Sequence, residues 1–320
     1  MNVSGRLDSF TVAFIKNFLV VTLAIAINSI NGLFVYIYFS SQVFQRDPRY
    51  IFYIHLVIND MIMLTLSVLL HILAYITPLG FIPCCILVTI SATTTKNTPL
   101  NLAGMAVERY IAVCHPLHHV QLCTVWRAYV FIGLIWGISL IPNFADIIIV
   151  YYTKPLSFFF QPILCYQASI FGSSYHRVKV VILQVLQFSF VALTLIVTYL
   201  KVLCVARAVS ASNRDSARNA HNTILLHGGQ LLICLLSYVS PFMTIYLVAM
   251  WPTERTNIQF NAFVFTNMFP RLLSPLIYGV RDKKFSSCIR LQFCRKYSNA
   301  LAKKVNNMAT LQRKSNNVLP

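Results

Sequence analysis

Met105-Ala-Val-Glu-Arg-Tyr-Ile-Ala-Val-Cys-His-Pro-Leu-His118 closes a long apolar segment and opens a basic one. Glu108 and Arg109 set a carboxylate beside a guanidinium at that boundary, with Tyr110 next to them. Charges this close to lipid are expensive unless they are paired or face protein. Pro116 removes a backbone donor and biases His115 away from helical angles, so the helix ends there. The stretch reads as the end of a membrane helix that carries a charged latch.

Composition extends that reading to the whole chain. Of 320 residues, 57% are hydrophobic and only 11% are charged, against roughly 25% charged in soluble domains. There is no internal repeat and no low-complexity tract. The nine cysteines include the adjacent Cys84-Cys85 but do not take metal-ligand spacings, and neither metal nor cofactor is expected. Seven apolar stretches are each near the ~20 residues that cross a bilayer: about 18–39, 51–75, 84–113, 128–150, 178–206, 224–251 and 258–280. The expected fold is an all-α membrane protein, a seven-transmembrane helix bundle with a short amphipathic C-terminal helix. Residues 1–17 form an outer N-terminus, 18–280 the bundle, 281–297 a membrane-surface helix and 298–320 an inner tail.

Orientation follows from Lys and Arg. Arg46, Arg49, Arg109, Arg127, Lys201, Arg207, Arg214 and Arg218 fall on one side, with ten more from Arg281 onward. The other side has Arg6, Lys16, Lys154, Arg177, Lys179 and Arg255. The richer side is cytoplasmic, so the N-terminus is outside. Much of the net charge of +18 thus lies on a cytoplasmic surface facing anionic membrane lipid, and a nucleic-acid partner is not expected. Asn2-Val3-Ser4 becomes a glycosylation acceptor on the outer side. The outer loop 151–177 contains Cys165, which could pair with Cys84 at the outer start of the third span. Cys85 is the rival. After Val280, basic and apolar residues alternate as in a helix lying on the inner leaflet. Cys288 and Cys294 there are palmitoylation candidates or plain buried thiols.

Seven spans with Glu108-Arg109-Tyr110 at the inner end of the third resemble rhodopsin-like G-protein-coupled receptors. Asn31 and Asp60 resemble that family's polar pair in the first two helices, and Trp136 its fourth-helix tryptophan. Ser274-Pro275-Leu276-Ile277-Tyr278 resembles Asn-Pro-x-x-Tyr, with serine in the asparagine place. The stretch from Met105 to His118 is similar to the signature of olfactory receptors, and the details look like a teleost-type odorant receptor. Glu108 stands where aspartate is usual. Arg271 stands where proline or a small residue is usual, and the sixth-helix pattern is weak around His221–Gln230. The resemblance implies a small organic odorant as ligand and a stimulatory heterotrimeric G protein that raises cyclic AMP. It also implies a place in the plasma membrane of olfactory sensory cilia. In the switch, Arg109 rests on Glu108 and is freed to meet a G protein and the inner tyrosines Tyr199 and Tyr278. His115, Pro116 and Pro275 frame that movement.

The intramembrane polar residues form the second set: Asn31, Asp60, Arg271 and Ser274. Related receptors hold sodium beside the aspartate. Here Arg271 is expected to take the ion's place in an Asp60–Arg271 salt bridge. Lys96 follows Thr93-Thr94-Thr95 and lies about 20 Å outward of Arg109 at ~1.5 Å per residue. It either pairs with Asp146 or waits for an anionic ligand. Ser91, Thr95, Gln187, Phe188, Tyr238 and Phe242 are further pocket candidates. Their aromatic members serve equally well as packing residues. A mostly apolar cavity with a few polar groups suits small organic ligands.

Rival classes are weaker. A transporter would show repeated halves or several broken helices at mid-membrane. An intramembrane enzyme would place two catalytic groups on facing helices, whereas His55 and His71 stand isolated in the second and read as hydrogen-bonded packing residues. An amine receptor would have a carboxylate near Ser91. The alternative within the resemblance is a non-olfactory rhodopsin-like receptor for a small lipid-like or anionic ligand.

Overall fold

A computed structural model describes residues 9–76, 79–163, 165, 170–210, 229, 239–240, 243–281 and 284–291. Apolar residues dominate its long helices because every backbone N–H and C=O is bonded within the helix, leaving only side chains to meet lipid. Helix α1 is Phe10–Phe39. The short α2, Gln42–Gln45, turns the chain into α3, Pro48–Ile76. Helix α4 is Phe81–Cys114 and α5 is Pro116–Leu122. Helix α6 is Val125–Thr153, with Thr124 accepting from the Arg127 N–H as its N-cap. Helix α7 is Ser174–Ser210. Helix α8, Arg255–Phe263, passes through a π-turn, Val264–Met268, into α9, Phe269–Arg281. The π-turn carries the Phe269 N–H to the Val264 carbonyl, one residue further back than an α-helix would. The sixth expected span falls largely outside the described residues.

Among the described residues, four helical stretches are long and apolar enough to cross a membrane: Thr11–Phe39, Pro48–Leu73, Val125–Thr153 and Ser174–Val205. Helix α4 is longer than most of them but carries the polar run ending at Lys96. Its polar side chains are placed inward: Thr93, Thr94, Asn97 and Asn101 are buried. Phe18, Ile25, Ile138, Ile141 and Leu193 are exposed, as residues facing lipid tails must be.

Two apolar clusters tie helices that are distant in sequence. Val20, Ala24 and Ile27 of α1 pack with Leu64 and Val68 of α3 and with Met268 of the π-turn. At the outer end, Phe81, Cys84, Val88 and Val150 enclose Cys165, Ile170 and Phe171. A two-residue antiparallel pairing of β1 (Leu79–Gly80) with β2 (Pro162–Ile163) and a Cys84–Cys165 disulfide pin the outer loop there. Cys85 is free and buried, which resolves the choice between the two cysteines.

Residues from Leu276 onward form a separate compact unit. Within it residues 284–291 are helical, Phe285 is buried and Cys288 is a half-buried free thiol.

Candidate functional site

The inner end of α4 is held by more than its neighbour in sequence. Glu108 is 4% exposed and Arg109 27%, and Arg109 Nε lies 3.8 Å from Glu108 Oε2. His119 Nε2 lies 2.9 Å from the other carboxylate oxygen, Oε1. This contact depends on His115-Pro116. His115 leaves the helix at φ −135°, ψ 59°, and Pro116 at the first position of α5 restarts it. The turn returns His119 to a carboxylate eleven residues earlier in the chain. Tyr110 Oη lies 3.4 Å from His115 Nε2.

A second carboxylate faces Arg109 from the α2–α3 turn. Arg49 Nε donates to both oxygens of Asp47 at 3.0 Å. Burial alone would raise the Asp47 carboxyl. The hydrogen bonds from Arg49 and the charges of Arg49 and Arg109 outweigh it and hold the group below the usual carboxylate range. The charge of Arg109 thus also bears on Asp47, the carboxylate of the turn before α3.

The middle of the bundle is a hydrogen-bonded polar network. Asn59 Nδ2 donates to the Thr94 carbonyl at 2.9 Å and to Thr98 Oγ1 at 3.0 Å, and Asn97 donates to Asn59 Oδ1 at 3.3 Å. Asp60 accepts from Thr98 at 2.9 Å. The expected Asp60–Arg271 salt bridge is not formed as a contact. Arg271 Nη1 instead donates to the Asn267 and Thr266 carbonyls at 2.6 and 3.5 Å. The π-turn presents those carbonyls within reach. Arg271 is nonetheless buried. Asn31 donates to the Arg271 carbonyl at 3.4 Å, Ser274 is buried, and Tyr53 Oη donates to the Pro275 carbonyl at 3.3 Å.

His55 is a hydrogen-bonded packing residue, as expected. Trp136 Nε1 donates to His55 Nε2 at 2.9 Å, and His55 Nδ1 lies 3.2 Å from Asn101 Oδ1. Because Nε2 accepts, Nδ1 carries the proton of a neutral ring. Asn101 Nδ2 then donates to the Phe52 carbonyl at 2.9 Å. The relay staples α6, α3 and α4. His71 stacks on Phe263 with centroids 5.5 Å apart.

The outer half holds a charged cluster between α4, α6 and α7. Asp146 is bonded by Lys179 Nζ, and His176 Nδ1 lies 2.9 Å from its other oxygen. The possible Lys96–Asp146 pair is thereby overturned, since residues at the start of α7 reach the acid first. Lys179, counted from the sequence as an outer-loop charge, instead turns inward and also donates to the Pro142 carbonyl at 2.9 Å. Lys96 Nζ donates to Asn143 Oδ1 at 3.0 Å. Gln187 Nε2 donates to the Lys96 carbonyl at 2.7 Å.

The remaining candidates are dispersed. Ser91 and Phe188 are half-buried, whereas Thr95 is exposed and its hydroxyl goes to the Ser91 carbonyl. Tyr199 is half-buried on α7. Asn2, Tyr238, Phe242, Cys294 and the Tyr278 side chain lie outside the described residues. Asp47, His119, Lys179 and His176 were missed from sequence. For His119, its place three residues after Pro116, on a helix folding back toward α4, was the available signal.

Long apolar helices, an outer disulfide from the third span and a charged latch at that span's inner end define a multi-pass membrane receptor architecture. The family described as 7 transmembrane receptor (rhodopsin family) matches residues 30–278. The chain is 30% identical to Odorant receptor 131-2 of Danio rerio over 83% of its own length and 82% of the relative's. It is 26% identical to Olfactory receptor 10Q1 of Homo sapiens over 78% of this chain and 80% of the relative's. The chain belongs to the rhodopsin family of seven-transmembrane receptors, and within it to the odorant receptors. It is a receptor and not an enzyme.

Proposed function

We propose that the chain binds a small organic odorant in the outer half of its bundle and activates a stimulatory heterotrimeric G protein, raising cyclic AMP. It works in the plasma membrane of olfactory cilia with its N-terminus outside. There Asn2 is a glycosylation acceptor, and Cys288 and Cys294 are acylated on the cytoplasmic side. The observation that carries the reading is the latch. Arg109 rests against buried Glu108, and Glu108 is held by His119 on the next helix.

At rest the carboxylate occupies the guanidinium. Ligand binding favours a second arrangement of the helices in which Arg109 is released toward the G protein. A ligand moves that equilibrium only by its difference in affinity for the two arrangements. Pro99 in α4, Pro142 in α6 and Pro275 in α9 supply places where a helix can bend.

The test is cyclic AMP in cells expressing the full chain, screened with acids, amines and neutral volatiles, beside an Arg109→Ala variant at equal surface level. A ligand-dependent rise that the variant loses is the expected result. A rise retained by Arg109→Ala overturns the assigned switch. Silence toward every volatile, with a response to a lipid-like ligand, replaces the odorant reading with the non-olfactory alternative.

A further inference from the structure

Lys96 has a place but, among the described residues, no ion-pair contact. An ammonium group carries three N–H donors. Among the described residues its side chain has one hydrogen-bond acceptor, Asn143 Oδ1 at 3.0 Å. No described carboxylate lies within 4.0 Å, because Asp146, one helical turn beyond Asn143, is held by Lys179 and His176.

The amide is fixed in the orientation that faces oxygen to the cation. Asn143 Nδ2 donates to Thr93 Oγ1 at 2.8 Å and to the Ser139 carbonyl at 3.2 Å. Ser139 Oγ, on a side chain 2% exposed, has no hydrogen-bond partner. Lys96 and Lys179 against Asp146 leave an excess of one positive charge before His176 is counted. A group of this charge at membrane depth, with donors left over, is a functional candidate rather than a packing residue.

We infer that Lys96 receives the anionic group of a small organic monoanion, a carboxylate in its compact form, between α4, α6 and α7. A single negative charge balances the excess, whereas a dianion overshoots it. The carboxylate oxygens accept from the unused ammonium donors. The organic remainder lies against the apolar helix faces. The inference rests on the receptor reading for its signalling consequence, but binding itself stands apart from it.

The experiment uses the full chain purified into lipid nanodiscs. Its melting midpoint is followed with straight-chain carboxylates from propanoate to octanoate and with the alcohols of equal length. A ligand that binds the folded state raises the midpoint with concentration. The carboxylates are expected to raise it at concentrations where the alcohols do not. Lys96→Met loses at least tenfold in apparent affinity for them, and Lys96→Arg retains it. Asn143→Asp, which gives Lys96 an acid of its own, loses it as Lys96→Met does.

Equal shifts from acids and alcohols overturn the inference. So does a carboxylate shift that survives Lys96→Met, or none at millimolar carboxylate. Parallel cyclic AMP measurements separate the two claims. Carboxylate binding that depends on Lys96 but raises no cyclic AMP overturns the signalling reading and leaves the site standing. Cyclic AMP raised only by neutral volatiles, with no carboxylate shift, does the reverse.

Discussion

Replacing His119 with alanine should raise signalling in the absence of ligand. His119 makes a 2.9 Å contact with the carboxylate that occupies Arg109, and this contact belongs to the latched arrangement. Hydrogen bonds to charged groups contribute about 1.5–3 kcal/mol. His119 is 22% exposed, so the lower end applies, about 1.4 kcal/mol, or a factor of ten in an equilibrium constant. A receptor resting with about 1% of molecules in the active arrangement, inside the ordinary 0.1–10% range for a minor state, moves to about 9%. The assay is basal cyclic AMP divided by surface receptor counted with an extracellular tag. Glu108→Gln, which weakens both contacts to the carboxylate, should raise the basal signal at least as far. His119→Gln should fall between His119→Ala and the native chain. An unchanged basal signal in His119→Ala at matched surface level would mean that the contact persists in both arrangements, and the latch argument would be wrong.

Three other outcomes follow from the geometry. Trp136→Phe removes the donor to His55 and leaves a buried ring nitrogen unsatisfied, a loss of about 1 kcal/mol or more; the melting midpoint should fall by about 2–4 °C per kcal/mol. Cys84→Ser opens a loop of 81 residues, a loss of up to about 4.5 kcal/mol by chain entropy, and should deplete surface receptor, while Cys85→Ser should not. Asp47, whose carboxyl is held below its usual value, stabilises the inner turn above the unfolded pKa of about 3.9. That contribution is lost as pH falls through the folded value. The midpoint difference between the native chain and Asp47→Asn should therefore be constant near neutrality and vanish in acid.

Elements held by local chemistry were legible. Apolar length gave the long helices, and His115-Pro116 gave the end of α4. Of the polar network only Asn31, Asp60 and Ser274 stood out in apolar runs; its main partners, Asn97, Thr98 and Asn101, did not. Pairing was not legible. Asp146 could have met any cation that reached the outer end of α6. The choice of Lys179 over Lys96 depends on where α7 starts relative to α6, which periodicity leaves open. His119 sits on a seven-residue helix with no apolar stripe to announce it. Arg271 was expected to meet Asp60 because both lie at the same depth among apolar residues, and nothing in the sequence announced the π-turn whose Thr266 and Asn267 carbonyls take the guanidinium.

That turn also governs phase. From Phe263, stacked on His71, to Arg271 is eight residues. In a regular helix those steps run about 80° beyond two full turns, at about 100° each. A single π-turn takes back about one residue's rotation, so the two side chains return to within about 20° of one face. The extra residue is therefore neutral for everything that follows it. A chain shortened by one residue between Val264 and Met268 and closed into a regular helix would make seven steps of about 100° and keep Arg271 at the same angle to Phe263. The same chain at full length, wound as a regular helix, would instead turn Arg271 and Ser274 by about 100° relative to the Phe263–His71 stack. Bonding pattern rather than length is thus what sets the phase between the two halves of the last span.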